Sequence, residues 1–166
     1  MAVKIKTVKN RIPSIEKNIK ELNGRGVQVG VLSGEHKWLA SIHEYGMEIE
    51  ITPKMRKWLH ANGLHVKNST THIVIPERSF LRGGYDENID AVVKTSGALL
   101  ADVLSGTMSE DVFLELVGTL LRDRIKDYAT SLNSPPNHPF TVGRKGGSNP
   151  LVDTGDMIGG IDWREK

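Results

Sequence analysis

Apolar residues along this chain fall into two alternating rhythms, one of helices and one of strands. Val8, Ile12, Ile15, Ile19 and Leu22 are spaced by fours and threes, which predicts an amphipathic helix over 8–23 closed by Gly24, with Pro13 tolerated in its first turn. Val27, Val29 and Val31 alternate with Gln28 and Gly30, the period of a half-buried strand, and Ser33 and Gly34 turn the chain. Trp38, Ile42 and Tyr45 share a helical face that stops at Gly46. Met47, Ile49 and Ile51 then alternate with Glu48 and Glu50, an antiparallel strand with its charges toward water. Thr52 and Pro53 read as N-cap and first residue of a short helix through Met55, Trp58 and Leu59, ending at Gly63. Leu64–Val66 and His72–Ile75 flank the polar stretch Lys67–Thr71, which predicts a hairpin, and Pro76 ends its ladder.

Gly83 and Gly84 punctuate the chain before Ile89, Val92, Val93, Leu99, Leu100, Val103 and Leu104, a long amphipathic helix with a soft spot at Gly97. Thr107 and Glu110 have capping-box spacing and predict the start of another long helix. Its apolar face is expected from Val112, Phe113, Leu116, Val117, Leu120, Leu121, Ile125, Tyr128 and Leu132. Residues 133–150 carry four prolines, three glycines and few apolar positions, which predicts a long mobile loop. Asp153 or Thr154 is placed to cap a short helix through Met157 and Ile158, with Gly155 supplying a bend. Ile161 and Trp163 flank Asp162 in a closing strand.

Composition narrows the picture. A chain of 166 residues suits one domain, 1–166, and 38% hydrophobic with 25% charged residues gives a modest core. Twenty-two basic and 20 acidic residues nearly balance, but up to Gly26 seven cations (Lys4, Lys6, Lys9, Arg11, Lys17, Lys20, Arg25) face only Glu16 and Glu21. Such a face is either simply solvated or a contact for phosphates. The absence of cysteine removes disulfides and thiolate metal sites and fits assembly in a reducing cytoplasm. No run approaches the roughly 18 apolar residues of a membrane span, and the N-terminus is not a signal peptide, so a soluble protein with no membrane partner is expected.

Few constellations suggest chemistry. Leu151, Val152, Asp153, Thr154 and Gly155 match an aspartic-protease loop, which from one copy would require a dimer, yet only eleven residues follow Gly155. His60 and His65 are separated by the helix break at Asn62 and Gly63, and His43 with Glu44 lacks the second histidine of a zincin motif. The run GRKGG at 143–147 has the glycines of a phosphate loop but not the order. Arg144 and Lys145 could meet phosphates, but no aromatic residues interleave with them to stack bases. No catalytic, cofactor or metal set emerges.

Three motifs in order, HEYG at His43–Gly46, IPERSFLR at Ile75–Arg82 and PLVDTG at Pro150–Gly155, resemble the tail-completion proteins of tailed bacteriophages. The resemblance implies an α+β fold: a small antiparallel sheet packed against two long helices, with an N-terminal helix and a long C-terminal loop. It implies a structural virion protein at the neck or head-proximal end of the tail, present in the host cytoplasm during assembly. Its partners would be its own copies in a ring, six by the tail's symmetry, the tail tube or tail terminator, and the head connector, with nonspecific contact to DNA in the channel. Glu44, Tyr45 and Gly46 match the helix-end motif, Tyr45 in the core and Gly46 as C-cap. Pro76, Arg78, Phe80 and Leu81 match the turn before the long helix. Phe80 and Leu81 would be core anchors and Arg78 would pair with an acidic group. Pro53–Thr71 is longer than in the simplest family members. The alternatives are a dimeric aspartic protease using Asp153 and a nonspecific DNA-binding accessory protein.

Overall fold

The computed structural model describes residues 10–32, 34 and 36–166. Val8, Lys4, Lys6, Lys9 and Ser33, used above, lie outside the described residues. The fold is α+β: α1 (Ile12–Leu22), β1 (Val27–Val31), α2 (His36–Tyr45), β2 (Met47–Glu50), α3 (Pro53–Ala61), β3 (His72–Ile75), α4 (Phe80–Ser105), α5 (Glu110–Ser131), α6 (Pro139–Lys145), α7 (Asp156–Gly159) and β4 (Ile161–Glu165). The strands form two separate antiparallel ribbons, β1 with β4 and β2 with β3.

The frame is the pair α4 and α5, packed together along their length. Gly106, at φ 79°, turns the chain between them, because the left-handed backbone there carries no Cβ penalty. The cap of α5 is not Thr107. Ser109 Oγ accepts from Val112 N at 3.3 Å, while the Thr107 hydroxyl donates backward to the Asp102 carbonyl at 3.0 Å and closes α4 instead. Serine two residues on meets the same orphan N–H requirement, and Glu110 and Asp111 complement the positive end of the helix.

The fully buried seam of α5 is Leu114, Gly118, Leu121, Ile125 and Ala129; Val117, Leu120 and Leu132 of the expected face pack half-buried against the core, while Val112 and Leu116 face solvent. Glycines stand where other groups approach closely. A Cβ on Gly118 would overlap the ring of Trp163 on β4, and one on Gly84 of α4 would lie 3.2 Å from Ile125 Cα. Thus Gly83 and Gly84 do not precede α4 but sit inside its first turns, where they let α5 come near. Phe80 and Leu81 likewise belong to the helix and not to a turn before it.

The β1–β4 ribbon pairs Val27 with Glu165 through Val31 with Ile161 and lies on α5. Arg25 ties its open end with both Glu165 oxygens (2.6 and 2.9 Å) and Asp111 (2.6 Å). The principal core gathers Val31, Ala40, Phe80, Val92, Leu121, Ile125 and Ile161. α1 rests on α4 and α5, with Asn18 Nδ2 donating to the Val103 carbonyl at 2.7 Å, but Ile12 and Ile19 of its stripe are exposed.

The hairpin expected from Leu64–Val66 and His72–Ile75 does not form. Leu64–Val66 is irregular, and β3 pairs with β2, Met47 opposite Ile75 and Glu50 opposite His72. Arg56 organises this stretch differently: its guanidinium binds the carbonyls of Val66 (3.3 Å), Lys67 (2.7 Å) and Thr70 (2.6 Å). Nor is 133–150 a structureless loop, because α6 forms within it. Trp38, on the predicted apolar face of α2, is 66% exposed, and that helix buries Ala40, Ile42 and Glu44.

Two glycines of similar appearance should therefore respond oppositely. Gly118→Ala is expected to cost about 1–3 kcal/mol by displacing Trp163, whereas Gly97→Ala, with open space around it, should gain about 0.5–1 kcal/mol of helix propensity. Urea unfolding of both variants measures the contrast.

Candidate functional site

HEYG and IPERSFLR meet where α2 ends and α4 begins. Ser79, the N-cap of α4, makes no side-chain cap, so the first N–H groups of that helix need another acceptor. Glu44 reaches across from α2 to supply it. Only 3% exposed, its Oε2 accepts from Leu81 N at 2.8 Å and its Oε1 from Arg82 N at 3.0 Å. Arg82 adds Nε to the same Oε1 at 2.9 Å, and its Nη2 reaches the Glu44 carbonyl (2.9 Å) and Glu77 (2.7 Å). The carboxylate is thus compensated by a helix N-terminus and a guanidinium. Gly46, at φ 73°, ends α2 where a Cβ would stand 3.0 Å from Glu77 N and Ile75 O. Tyr45 is not in the core. It is 65% exposed, because Glu44 occupies the inward position and Tyr45 lies under the Arg82 guanidinium at 4.9 Å.

Arg78 is 4% exposed and has no carboxylate partner among the described residues. Its backbone N–H donates to the His43 carbonyl at 2.7 Å. Its guanidinium holds the loop instead of an acidic group: Nε donates to the Pro135 carbonyl at 2.7 Å, and Nη2 to the Pro136 carbonyl and Asn137 Oδ1, each at 3.2 Å. Prolines make good partners here, as their carbonyls are free of any helix or ladder and the planar fork of arginine can serve several oxygens. Phe80 is fully buried and anchors the junction as expected, Leu81 is half-buried, and Pro76 follows the last residue of β3.

Beyond that clasp, His138 caps α6 through Nδ1, which accepts from Phe140 N at 3.2 Å. Arg144, though exposed, and the half-buried Lys145 are bonded to groups of the chain itself. Arg144 lies over Trp58 (5.2 Å) and Phe140 (5.8 Å) and donates to Asn62 at 2.7 Å. Lys145 Nζ donates to the Asn149 carbonyl at 2.7 Å. Asn149 in turn binds the Thr130 carbonyl (2.7 Å) and, through Oδ1, the N–H groups of Leu151 (2.9 Å) and Val152 (3.0 Å), which sets the LVDTG segment against α5. Gly155, at φ 91°, opens α7, and the Thr154 hydroxyl donates to Asp156 Oδ2 at 2.6 Å and accepts from Asp156 N at 3.4 Å. Asp153 stays exposed at the rim.

The first and third motifs and the loop line a cleft of about 260 Å³, through His43, Lys145, Asp153, Thr154, Gly155 and Met157 among others. Its lining sets Lys145 beside Asp153 and Asp156. Burial, then the charges of Arg78 and Lys145, lowers the pKa of His43 to about 4, so the imidazole is neutral at pH 7. Burial also lowers the pKa of Lys145, with Asp153 opposing and Arg78 adding to the effect. The ring centroids of His60 and His65 do approach, edge to face at 5.1 Å across the helix end, but no group of three or more metal-ligating side chains is assembled among the described residues. Asn137, Asn149 and Arg82, which bind these segments together, carried no motif signal beyond the position of Arg82 beside Leu81. No helix among the described residues is long and apolar enough to cross a membrane.

Comparison of the chain with protein-family profiles, curated proteins and solved structures finds no match in any of the three.

Glu44→Ala should cost about 2–4 kcal/mol, through loss of the cap and stranded N–H groups, and Glu44→Gln distinctly less; thermal unfolding separates the two. His43 gives a pH signature. Its folded pKa lies below its usual 6.5, so the unfolded chain binds the extra proton first. Its stabilising contribution is complete above about pH 6.5 and falls away as pH drops toward 4. The loss is on the order of 2 kcal/mol, and His43→Gln should flatten that part of a stability-versus-pH curve.

Proposed function

We propose that this protein is a structural component of a tailed-phage particle, acting at the neck or head-proximal end of the tail to join tail and head connector. It works as a ring of its own copies, six by the tail's symmetry. The observation carrying this reading is what the chain leaves in water. Trp38 and Trp58, two of its three tryptophans, are 66% and 50% exposed, and Tyr45 is 65% exposed. Large aromatic side chains at the surface are the usual anchors of protein interfaces. Meanwhile Glu44 is turned inward onto α4 and Arg78 onto the loop, which supports a role for the first two motifs in shaping the subunit.

For contact with DNA in a channel, the cations of α1 are better placed than Arg144 and Lys145, which are bonded internally. Arg11, Lys17 and Lys20 are exposed, with Lys17 only loosely paired to Glu21 at 3.4 Å.

Antibody-labelled electron microscopy of purified virions should place the protein at the head–tail junction. Trp38→Ala should lower infectious particle yield at least about tenfold while leaving the melting temperature of the purified chain unchanged. Absence from finished particles, with peptidase activity abolished by Asp153→Asn or with salt-sensitive DNA retardation, would overturn the assignment in favour of the protease or the DNA-binding accessory protein.

A further inference from the structure

The β2–β3 ribbon carries two unused edges, and the register identifies which groups face outward. Ile51 N donates to Thr71 O at 2.8 Å, making these two a hydrogen-bonded pair. Stepping by two along the register, Ile49 with Ile73 and Met47 with Ile75 are bonded pairs as well. The N–H and C=O groups of Glu48 and Glu50 therefore point out from β2, and those of His72 and Val74 point out from β3. Neither strand has a second neighbour among the described residues.

Beside β3 runs a groove of about 510 Å³ whose other wall is Pro136–His138 with Thr141. Ile73, Val74 and Ile75 all line it, and no residue of β2 does. Successive side chains of a strand point to opposite faces, so a groove lined by three in a row follows the edge and not a face. No carboxylate lines it, whereas Arg78, His43 and His138 do. Arg78 donates to carbonyl and amide oxygens and, through Nη1, lies 3.4 Å from His43 Nδ1, with no carboxylate among its partners, and Asn137 Nδ2 is buried without an acceptor among the described residues. The edge of β2 has the opposite character: Glu48 and Glu50 are exposed, with His72 at 3.9 Å from Glu48 as the nearest cation partner.

We infer that the outer edge of β2 in one copy of this chain docks into the groove along the outer edge of β3 in the next, bringing Glu48 and Glu50 toward Arg78 and Asn137. The contact joins two different surfaces and so propagates from copy to copy. It supplies partners to both rows of open backbone groups and extends a two-stranded ribbon, which alone is only marginally stable. It sharpens the ring in the proposed function but rests on edges and charge alone. The test uses purified full-length chain, so its failure would leave particle localisation untouched.

The chain lacks cysteine, so Glu48→Cys and Val74→Cys can be introduced singly and joined by a short bismaleimide. A mixture of the two variants should cross-link to dimers severalfold more than either alone. Equal cross-linking of one variant with itself would mean symmetric edge pairing and overturn the inference. In sedimentation, Glu48→Lys with Glu50→Lys should weaken self-association about tenfold or more at low salt. Val74→Pro removes an outward N–H without touching the inner ladder and should do the same. If Val74→Pro fails to fold, the charge reversal decides. Wild-type chain that stays monomeric at its highest soluble concentration, or association that survives both changes, would refute the contact.

Discussion

A buried carboxylate is tolerated only where its lone pairs are filled and its charge is answered, and Glu44 meets both conditions by closing a helix that is not its own. The positive end of α4 requires an acceptor, and the last turn of α2 supplies one. That bond fixes where the end of α2 meets the start of α4. It also fixes the position of Arg78, three residues ahead of Leu81, whose backbone is held by the His43 carbonyl and whose side chain holds the 135–137 segment. One anionic group thereby organises α2, α4 and, through Arg78, the approach to α6.

Helices and strands were legible wherever a single period governs a segment. Val27–Val31, Pro53–Ala61 with its Thr52 cap, and Ile161–Glu165 emerge close to their predicted places, since alternation and capping are local properties. Errors gather where tertiary contacts override them. Leu64–Val66 has strand composition, but Arg56 claims the Val66 carbonyl and those of Lys67 and Thr70 in the turn after it. Gly83 and Gly84 look like punctuation but are places where α5 crosses α4, and periodicity cannot distinguish a breaker from a close approach.

The site was legible in its parts and not in its bonds. The motifs named Glu44 and Arg78, but composition favours Tyr45 as the core residue over a glutamate, and a buried arginine ordinarily implies an acid. Neither rule anticipates a carboxylate used as a helix cap from a distance, or proline carbonyls as the partners of a guanidinium. The loop's prolines suggested mobility, while the structure uses their carbonyls as handles.

The ribbon of β1 and β4 joins segments more than a hundred residues apart in the chain. Closing so large a loop is entropically slow and cannot begin on the ribosome until β4 has emerged. Until then Gly118 lacks the covering ring of Trp163, and the edge of β1 stands open among newly made chains. The chain thus completes its core with one late, long-range pairing, and the interval before that pairing is when it is most exposed to aggregation.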